Sequence, residues 1–299
     1  MRGLAGQAVT GQAVARYAVV GNPVAHSLSP EIHAAFARQT GEAIEYTRVL
    51  APLDGFVAAI ERFFDGGGMG LNVTVPFKLE ACAYCGDRLS ARARRAGAVN
   101  VLARRGNKPD DAMNGDNTDG VGLVRDLDRL VGAKGLAWAD ARVLLVGAGG
   151  AARGAIGPLL AARPAILTIV NRDVAKAHAL VQAFGDDDSH GATLQAQAFD
   201  ALGTTRYDVV INATSASLAN VPLPLPPAIF AGATLAYDMM YGAAATPFMD
   251  FAARSGAAAV ADGLGMLVEQ AAEAFAIWRG VRPATAPVLA MLRASVVSP

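Results

Sequence analysis

Residues 143–153, Val-Leu-Leu-Val-Gly-Ala-Gly-Gly-Ala-Ala-Arg, constrain the fold of this chain more than any other stretch. Four consecutive apolar residues read as a strand buried on both faces, and Gly147, Gly149 and Gly150 then turn the backbone into a helical run beginning near Ala151. Glycines suit such a turn because the backbone must reverse sharply and lie close to a pyrophosphate. The free N–H groups of the helix, with Ala148 and Ala151 beside them, attract that anion. The pattern is a dinucleotide site in an α/β unit. A second buried strand at 166–170 leads into Asn171 and Arg172, where such folds meet the adenosine ribose; an arginine there suits a 2′-phosphate and an acid suits a free hydroxyl. Arg172, with Lys176 one turn on, argues for NADP over NAD. Two bland alternatives stand beside it: Arg172 as a solvated residue after a strand, and Asp173 pairing with Arg172 or repelling the phosphate.

With 299 residues the chain has room for about two domains, and 53% hydrophobic against 17% charged residues describes compact globular units. The 26 basic and 26 acidic residues balance, which leaves no field for nucleic acid or an anionic membrane. No apolar run reaches the ~18 residues of a membrane span, and glycines and glutamines break any signal-peptide core in residues 1–15, so a disordered extension and a cytoplasmic location are expected. Cys82 and Cys85 form Cys-x-x-Cys, the spacing of a redox pair or half a zinc site. No further cysteine and no suitably spaced histidine completes a metal set, so two plain thiols on a helix and no metal are expected.

In chain order the patterns predict strands at 16–21, 45–49 and 70–75, helices at 29–39 and 53–64, and a third helix opening at Phe77 and Lys78. The glycines at 66–68 read as a loop. This is the β-α-β-α order of a parallel or mixed sheet. Ser29 before Pro30 reads as a hydroxyl N-cap, so Ser27 and Ser29 sit at a positive helix end that suits a carboxylate, although capping alone accounts for one serine. Lys78 stands at a strand-to-helix junction, where open α/β sheets place ligands; a solvated lysine is the plain alternative. A short helix at 90–96, a strand at 98–102, a turn at 107–111 and a polar loop at 114–120 follow, with Thr118 or Asp119 as a possible cap for a helix at 121–131. Beyond the glycine loop come strands at 209–212, 234–238 and 258–261, loops at 186–188 and 221–227, a helix capped by Thr246 and Pro247, and helices at 264–279 and 287–295.

Taken together, eight ordered motifs resemble the shikimate dehydrogenase family across nearly the whole chain beyond residue 15. They are Gly21-Asn-Pro-Val-Ala-His-Ser-Leu-Ser-Pro30, Asn72-Val-Thr-Val-Pro-Phe-Lys78, Ala98-Val-Asn100, Gly115-Asp-Asn-Thr-Asp-Gly120, Gly147-Ala-Gly-Gly-Ala-Ala-Arg153, Asn212-Ala-Thr-Ser215, Tyr237-Asp-Met239 and Ala261-Asp-Gly-Leu-Gly-Met-Leu267.

The resemblance implies an α/β substrate domain and a Rossmann-like NADP-binding domain separated by a cleft. It assigns 16–120 and 263–299 to a discontinuous substrate domain and 121–262 to the cofactor domain. The implied activity is reversible NADPH-dependent reduction of 3-dehydroshikimate to shikimate, in aromatic amino acid biosynthesis, by a monomer or homodimer. By the same resemblance Lys78 and Asp119 form the acid/base pair, and Ser27 and Ser29 receive the substrate carboxylate. Thr74, Asn100, Tyr241 and Gln270 line the polyol, and Met239 and the Gly263 carbonyl flank the nicotinamide. Ser217 departs from the glycine many relatives carry after Asn-Ala-Thr-Ser. The competing readings are a quinate or quinate/shikimate dehydrogenase using NAD or NADP, and a non-catalytic dinucleotide sensor.

Overall fold

A computed structural model describes residues 14–104, 113–133, 135–185, 191–217, 221–232 and 235–297. The chain opens with β1 (Ala15–Gly21), α1 (Ser29–Thr40), β2 (Ile44–Leu50), α2 (Phe56–Asp65) and β3 (Gly68–Val73). It continues through α3 (Lys78–Cys85), α4 (Ala91–Ala96), β4 (Val101–Arg104) and β5 (Met113–Asp116). These strands form one sheet in the order β2-β1-β3-β4-β5, parallel across its first three strands and antiparallel across its last two. The sheet is therefore mixed. Phe56, Ile60 and Phe64 recur on one face of α2 and pack under Ala18, Val20 and Leu71, as helical periodicity requires.

The second half runs through α5 (Asp119–Gly132), β6 (Arg142–Val146), α6 (Gly150–Ala161), β7 (Ile166–Val170), α7 (Val174–Gly185) and β8 (Thr193–Gln197). Then come β9 (Val209–Asn212), β10 (Leu235–Asp238), α8 (Pro247–Arg254), β11 (Val260–Ala261), α9 (Leu264–Arg279) and α10 (Ala286–Val297). The six strands are all parallel in the order β11-β10-β9-β6-β7-β8, the doubly wound arrangement in which ligands lie where the strand order reverses, beside β6. Val143, Leu144, Leu145 and Val146 are all fully buried, which is why this strand carries no alternation.

Helices α9 and α10 return to the first sheet. Val268, Ala272 and Phe275 of α9 and Val288 and Leu292 of α10 join Ile32 and Phe36 of α1 in one core, and Trp278 stacks on Tyr17 with ring centres 4.7 Å apart. An Arg293–Asp262 ion pair fastens α10 to the segment just before α9. Helix α5 packs against both α9 and α6. Its approach is close: a Cβ on Gly122 would lie 2.7 Å from the Gln270 backbone nitrogen, and one on Gly120 would lie 2.2 Å from the Gly154 carbonyl oxygen.

Several expectations need correction. Residue 15 already pairs with Ile44, so the extension expected over 1–15 stops short of it; residues 1–13 lie outside the described residues. Gly68 belongs to β3 rather than to a loop, and β3 ends at Val73 because the chain turns through residues 74–77. The strand expected at 98–102 is shifted to Val101–Arg104, and residues 114–116, read as loop, form the edge strand β5 against β4. Gly115 is required there, since a Cβ would lie 2.7 Å from Cys85 Sγ. Strand β8 escaped notice because its residues are half-buried and polar in part. The turn at 107–111 and the loop at 186–188 lie outside the described residues.

Candidate active site

The corner that carries Ser27 and Ser29 is built by the loop between β1 and α1. Ser29 was expected to cap α1, but the N-cap is Leu28, no side chain caps the helix, and Ser29 is its first residue. The Ser27 hydroxyl donates to Ser29 Oγ at 3.1 Å and accepts from the Ser29 backbone N–H at 3.3 Å. Neither hydroxyl is spent on capping, and both line a cavity of about 260 Å³ at the helix N-terminus. Arg48 on β2 holds the loop from behind, donating to the Ser27 carbonyl from Nη2 at 2.6 Å while pairing with Glu31 at 2.9 Å.

Lys78 and Asp119 face each other across the same cavity. Each is the first residue of a helix, α3 and α5, and Lys78 Nζ lies 2.6 Å from Asp119 Oδ2. The other carboxylate oxygen accepts from Asn100 Nδ2 at 2.9 Å, so Asp119 is held at both ends. Thr118 and Asp119 do not cap α5 with their side chains. The fully buried Thr118 hydroxyl instead joins Asn100, whose Nδ2 also lies 2.9 Å from Thr118 Oγ1 and 3.2 Å from Gln270 Oε1. The Asn100 oxygen accepts from the Thr118 backbone N–H at 2.8 Å, which fixes the amide's orientation. All eight residues expected to touch substrate, Ser27, Ser29, Thr74, Lys78, Asn100, Asp119, Tyr241 and Gln270, line this one cavity.

Asn72 lines it too and was not singled out in the sequence. Its signal is a buried amide in an otherwise apolar strand. The Tyr46 hydroxyl donates to Asn72 Oδ1 at 2.6 Å, and burial pushes the Tyr46 phenol well above its ordinary pKa, keeping it a donor. Behind Tyr46 lies His33, stacked on it with ring centres 4.2 Å apart; it is fully buried, and among the described residues neither ring nitrogen has a hydrogen-bond partner. Burial drops its pKa from 6.5 to about 3.

A second cavity of about 350 Å³ lies over the glycine loop, lined by Gly147, Ala148, Gly149, Asn171, Arg172 and the loop after β9. Gly147 has φ +114°, a conformation other residues avoid. At Gly149 and Gly150 a Cβ would meet nothing within 4 Å, so the protein's own packing does not demand glycine there; the space above the N-terminus of α6 is what their bareness preserves. Those features fit a dinucleotide pyrophosphate. Asp173 is engaged locally: its carboxylate accepts from the Ala175 N–H at 3.2 Å and its carbonyl from Asn171 Nδ2 at 3.0 Å. Among the described residues Arg172 makes no ion pair, and its side chain is exposed at the cavity. Gly150, Ala151 and Lys176 lie outside the lining, the last two exposed on the first turns of α6 and α7. Met239 is buried just past β10, and Gly263 backs onto it so tightly that a Cβ would lie 2.2 Å from the Met239 carbonyl oxygen.

Cys82 and Cys85 share helix α3, and Cys85 is buried in the first core, where burial pushes its thiol up to about 11. Its environment disfavours thiolate chemistry. Among the described residues no group of histidine, cysteine or carboxylate side chains gathers that would hold a metal ion.

Family models match in register with this layout: a shikimate dehydrogenase substrate-binding domain over residues 19–102, a shikimate/quinate 5-dehydrogenase domain over 130–222, and a shikimate 5′-dehydrogenase C-terminal domain over 263–293. A shikimate dehydrogenase (NADP(+)) from Aromatoleum aromaticum is 58% identical over 284 residues, covering 93% of this chain and 96% of its own. The chain belongs to the shikimate dehydrogenase family. Among solved structures, an Ael1 enzyme from Pseudomonas putida superposes with a TM-score of 0.85 at 46% identity, covering 93% of this chain and 98% of its own. The shikimate 5-dehydrogenase of Thermus thermophilus, in complex with NADP(H) and shikimate, superposes with a TM-score of 0.78 at 31% identity, over 94% of this chain and 100% of its own. In this chain the family's substrate-binding model ends at residue 102, whereas Asp119, Tyr241 and Gln270 reach the same cavity from later segments. No helix among the described residues is long and apolar enough to cross a membrane.

Proposed function

We propose that this shikimate dehydrogenase catalyses the reversible, NADP-dependent reduction of 3-dehydroshikimate to shikimate, with Lys78 and Asp119 as its acid/base pair. The observation that carries the reading is the Lys78–Asp119 contact of 2.6 Å inside a cavity that the hydroxyls of Ser27 and Ser29 also line. A small hydroxylated acid matches that polarity: its carboxylate accepts from Ser27 and Ser29, and its ring hydroxyls meet Thr74, Asn100, Tyr241 and Gln270.

When bound, NADP(H) supplies or accepts the hydride. Reduction leaves negative charge on the former ketone oxygen, and Lys78 Nζ delivers the proton that neutralises it; in the reverse direction Lys78 takes the proton from the substrate hydroxyl. Asp119 aims the ammonium, and Asn100 holds Asp119 by its second oxygen. Lys78 keeps 32% of its side-chain surface exposed, which leaves it a route to exchange protons with water. Gly149, Gly150 and Ala151 at the start of α6 hold the pyrophosphate, Asn171, Arg172 and Lys176 the adenosine end with its 2′-phosphate, and Met239 and Gly263 the nicotinamide end. Residues 16–120 with 263–299 form the substrate domain and residues 121–262 the cofactor domain, in a cytoplasmic enzyme.

Initial rates with shikimate and quinate, each with NADP and NAD, test this reading. It expects the highest kcat/KM for shikimate with NADP. Faster quinate oxidation would move the protein to the quinate-using relatives, and cofactor binding with no turnover on either substrate would leave a dinucleotide sensor.

A further inference from the structure

Asp238, the last residue of β10, is completely buried, and among the described residues no cation pairs with it. Its charge is met by four hydrogen bonds. Oδ1 accepts from Asn212 Nδ2 at 3.1 Å and from the Met240 backbone N–H at 3.0 Å; Oδ2 accepts from Ser217 Oγ and Thr246 Oγ1, both at 2.6 Å. A buried anion without a counter-ion costs stability unless donors replace its hydration, and here every donor comes from a different segment: the end of β9, the loop after β9, the turn after β10 and the cap of α8. The pattern continues outward, since Asn212 Oδ1 accepts from the Thr214 N–H at 3.0 Å and from Thr214 Oγ1 at 2.7 Å, and Thr214 Oγ1 accepts from the Ala216 N–H at 3.2 Å. Asp238 thereby fixes the loop of residues 213–216, which lines the cavity over the glycine loop.

Topology says which half of the cofactor this loop meets. The pyrophosphate belongs over β6 and the 2′-phosphate beside Arg172 at the end of β7, so the other half of the dinucleotide extends the opposite way, over the ends of β9 and β10. That direction also leads toward Tyr241, three residues past Asp238, which lines the substrate cavity. We propose that Asp238 is a positioning residue for the nicotinamide half of NADP(H), and that Ser217 is a strut peculiar to chains with serine at this place. The Ser217 hydroxyl, donating to Asp238 and accepting from Asn212 Nδ2 at 3.3 Å, gives the non-glycine residue a structural reason. The inference rests on the NADP-dependent reading above.

Asp238→Ala, Asp238→Asn and Ser217→Ala, each titrated with NADPH by fluorescence and with adenosine 2′,5′-bisphosphate by calorimetry, separate positioning from general damage. Asp238→Ala leaves four donors without acceptors and is expected to weaken NADPH about tenfold or more, while the bisphosphate, which lacks the nicotinamide half, stays within about twofold. Asp238→Asn should recover most of that loss, because its oxygen can still serve Asn212 and Met240 while the two hydroxyls rotate to accept from its amide. Ser217→Ala, at a half-exposed position, should weaken NADPH about threefold and carries the test alone if Asp238→Ala does not fold. Equal losses for NADPH and the bisphosphate, or wild-type NADPH affinity in the folded variants, overturn the proposal. Wild-type protein that binds the bisphosphate and NADPH but turns over no shikimate refutes the catalytic reading and leaves this comparison intact.

Discussion

His33 makes acid sensitivity a quantitative test of how the cavity around Lys78 and Asp119 is backed. The imidazole is fully buried against Tyr46, Phe36, Phe275 and Trp278, without a hydrogen-bond partner among the described residues. Burial takes its pKa from 6.5 down to about 3 in the folded chain. As pH falls below 6.5 the unfolded chain takes up a proton that the folded chain refuses, so the unfolded state gains. The stability present above 6.5 drains away through this window, and the loss is complete only near 3. Proton linkage over that shift gives a loss of about 2 kcal/mol between about pH 7 and pH 5. The site is wholly enclosed, so solvent screening does not reduce the figure. Urea unfolding of the wild type and of His33→Leu at both pH values reads it directly. The wild type should lose about 2 kcal/mol more than the variant on acidification, whatever the variant's own offset in stability. Equal losses would show that His33 is not held neutral by its surroundings.

Two further outcomes follow from contacts in the cleft. Arg172→Ala removes the exposed guanidinium from the cavity over the glycine loop and should raise the KM for NADP about tenfold or more, with the KM for NAD almost unchanged; parallel changes for both cofactors would exclude Arg172 from the 2′-phosphate. Gly122→Ala places a methyl 2.7 Å from the Gln270 backbone nitrogen and 2.9 Å from the Met266 carbonyl oxygen. It should cost about 1–3 kcal/mol in chemical denaturation and raise the KM for shikimate by displacing Gln270, and a wild-type midpoint with wild-type kinetics would contradict the close helix contact.

The doubly wound half of the fold was legible because its central strands are fully buried and read as unbroken apolar runs, each followed by a glycine, polar or proline signal. Two of the four edge strands, β5 and β8, were not. Strand β5 is Met-Asn-Gly-Asp, a sequence whose polarity describes a loop, and its antiparallel pairing with β4 is what makes it a strand. Residues lining the Lys78–Asp119 cavity were legible where they sat in motifs, but which of them hydrogen-bond one another was hidden by distance in sequence. Asn100 meets Gln270 across 170 residues, and Tyr46 meets Asn72 across 26. Ser29 shows the limit of local rules: Ser-Pro reads as a cap, yet the helix begins one residue earlier and the hydroxyl is left for the cavity.

The central claim is that Lys78, held by Asp119, moves the proton. Its most direct test is Lys78→Ala, measured for turnover of shikimate with NADP and, separately, for shikimate affinity. The expected result is a fall in kcat of about 100- to 10,000-fold with an affinity for shikimate within a few-fold of wild type. Near-normal turnover would contradict it, and so would an affinity loss large enough to account for the whole decline.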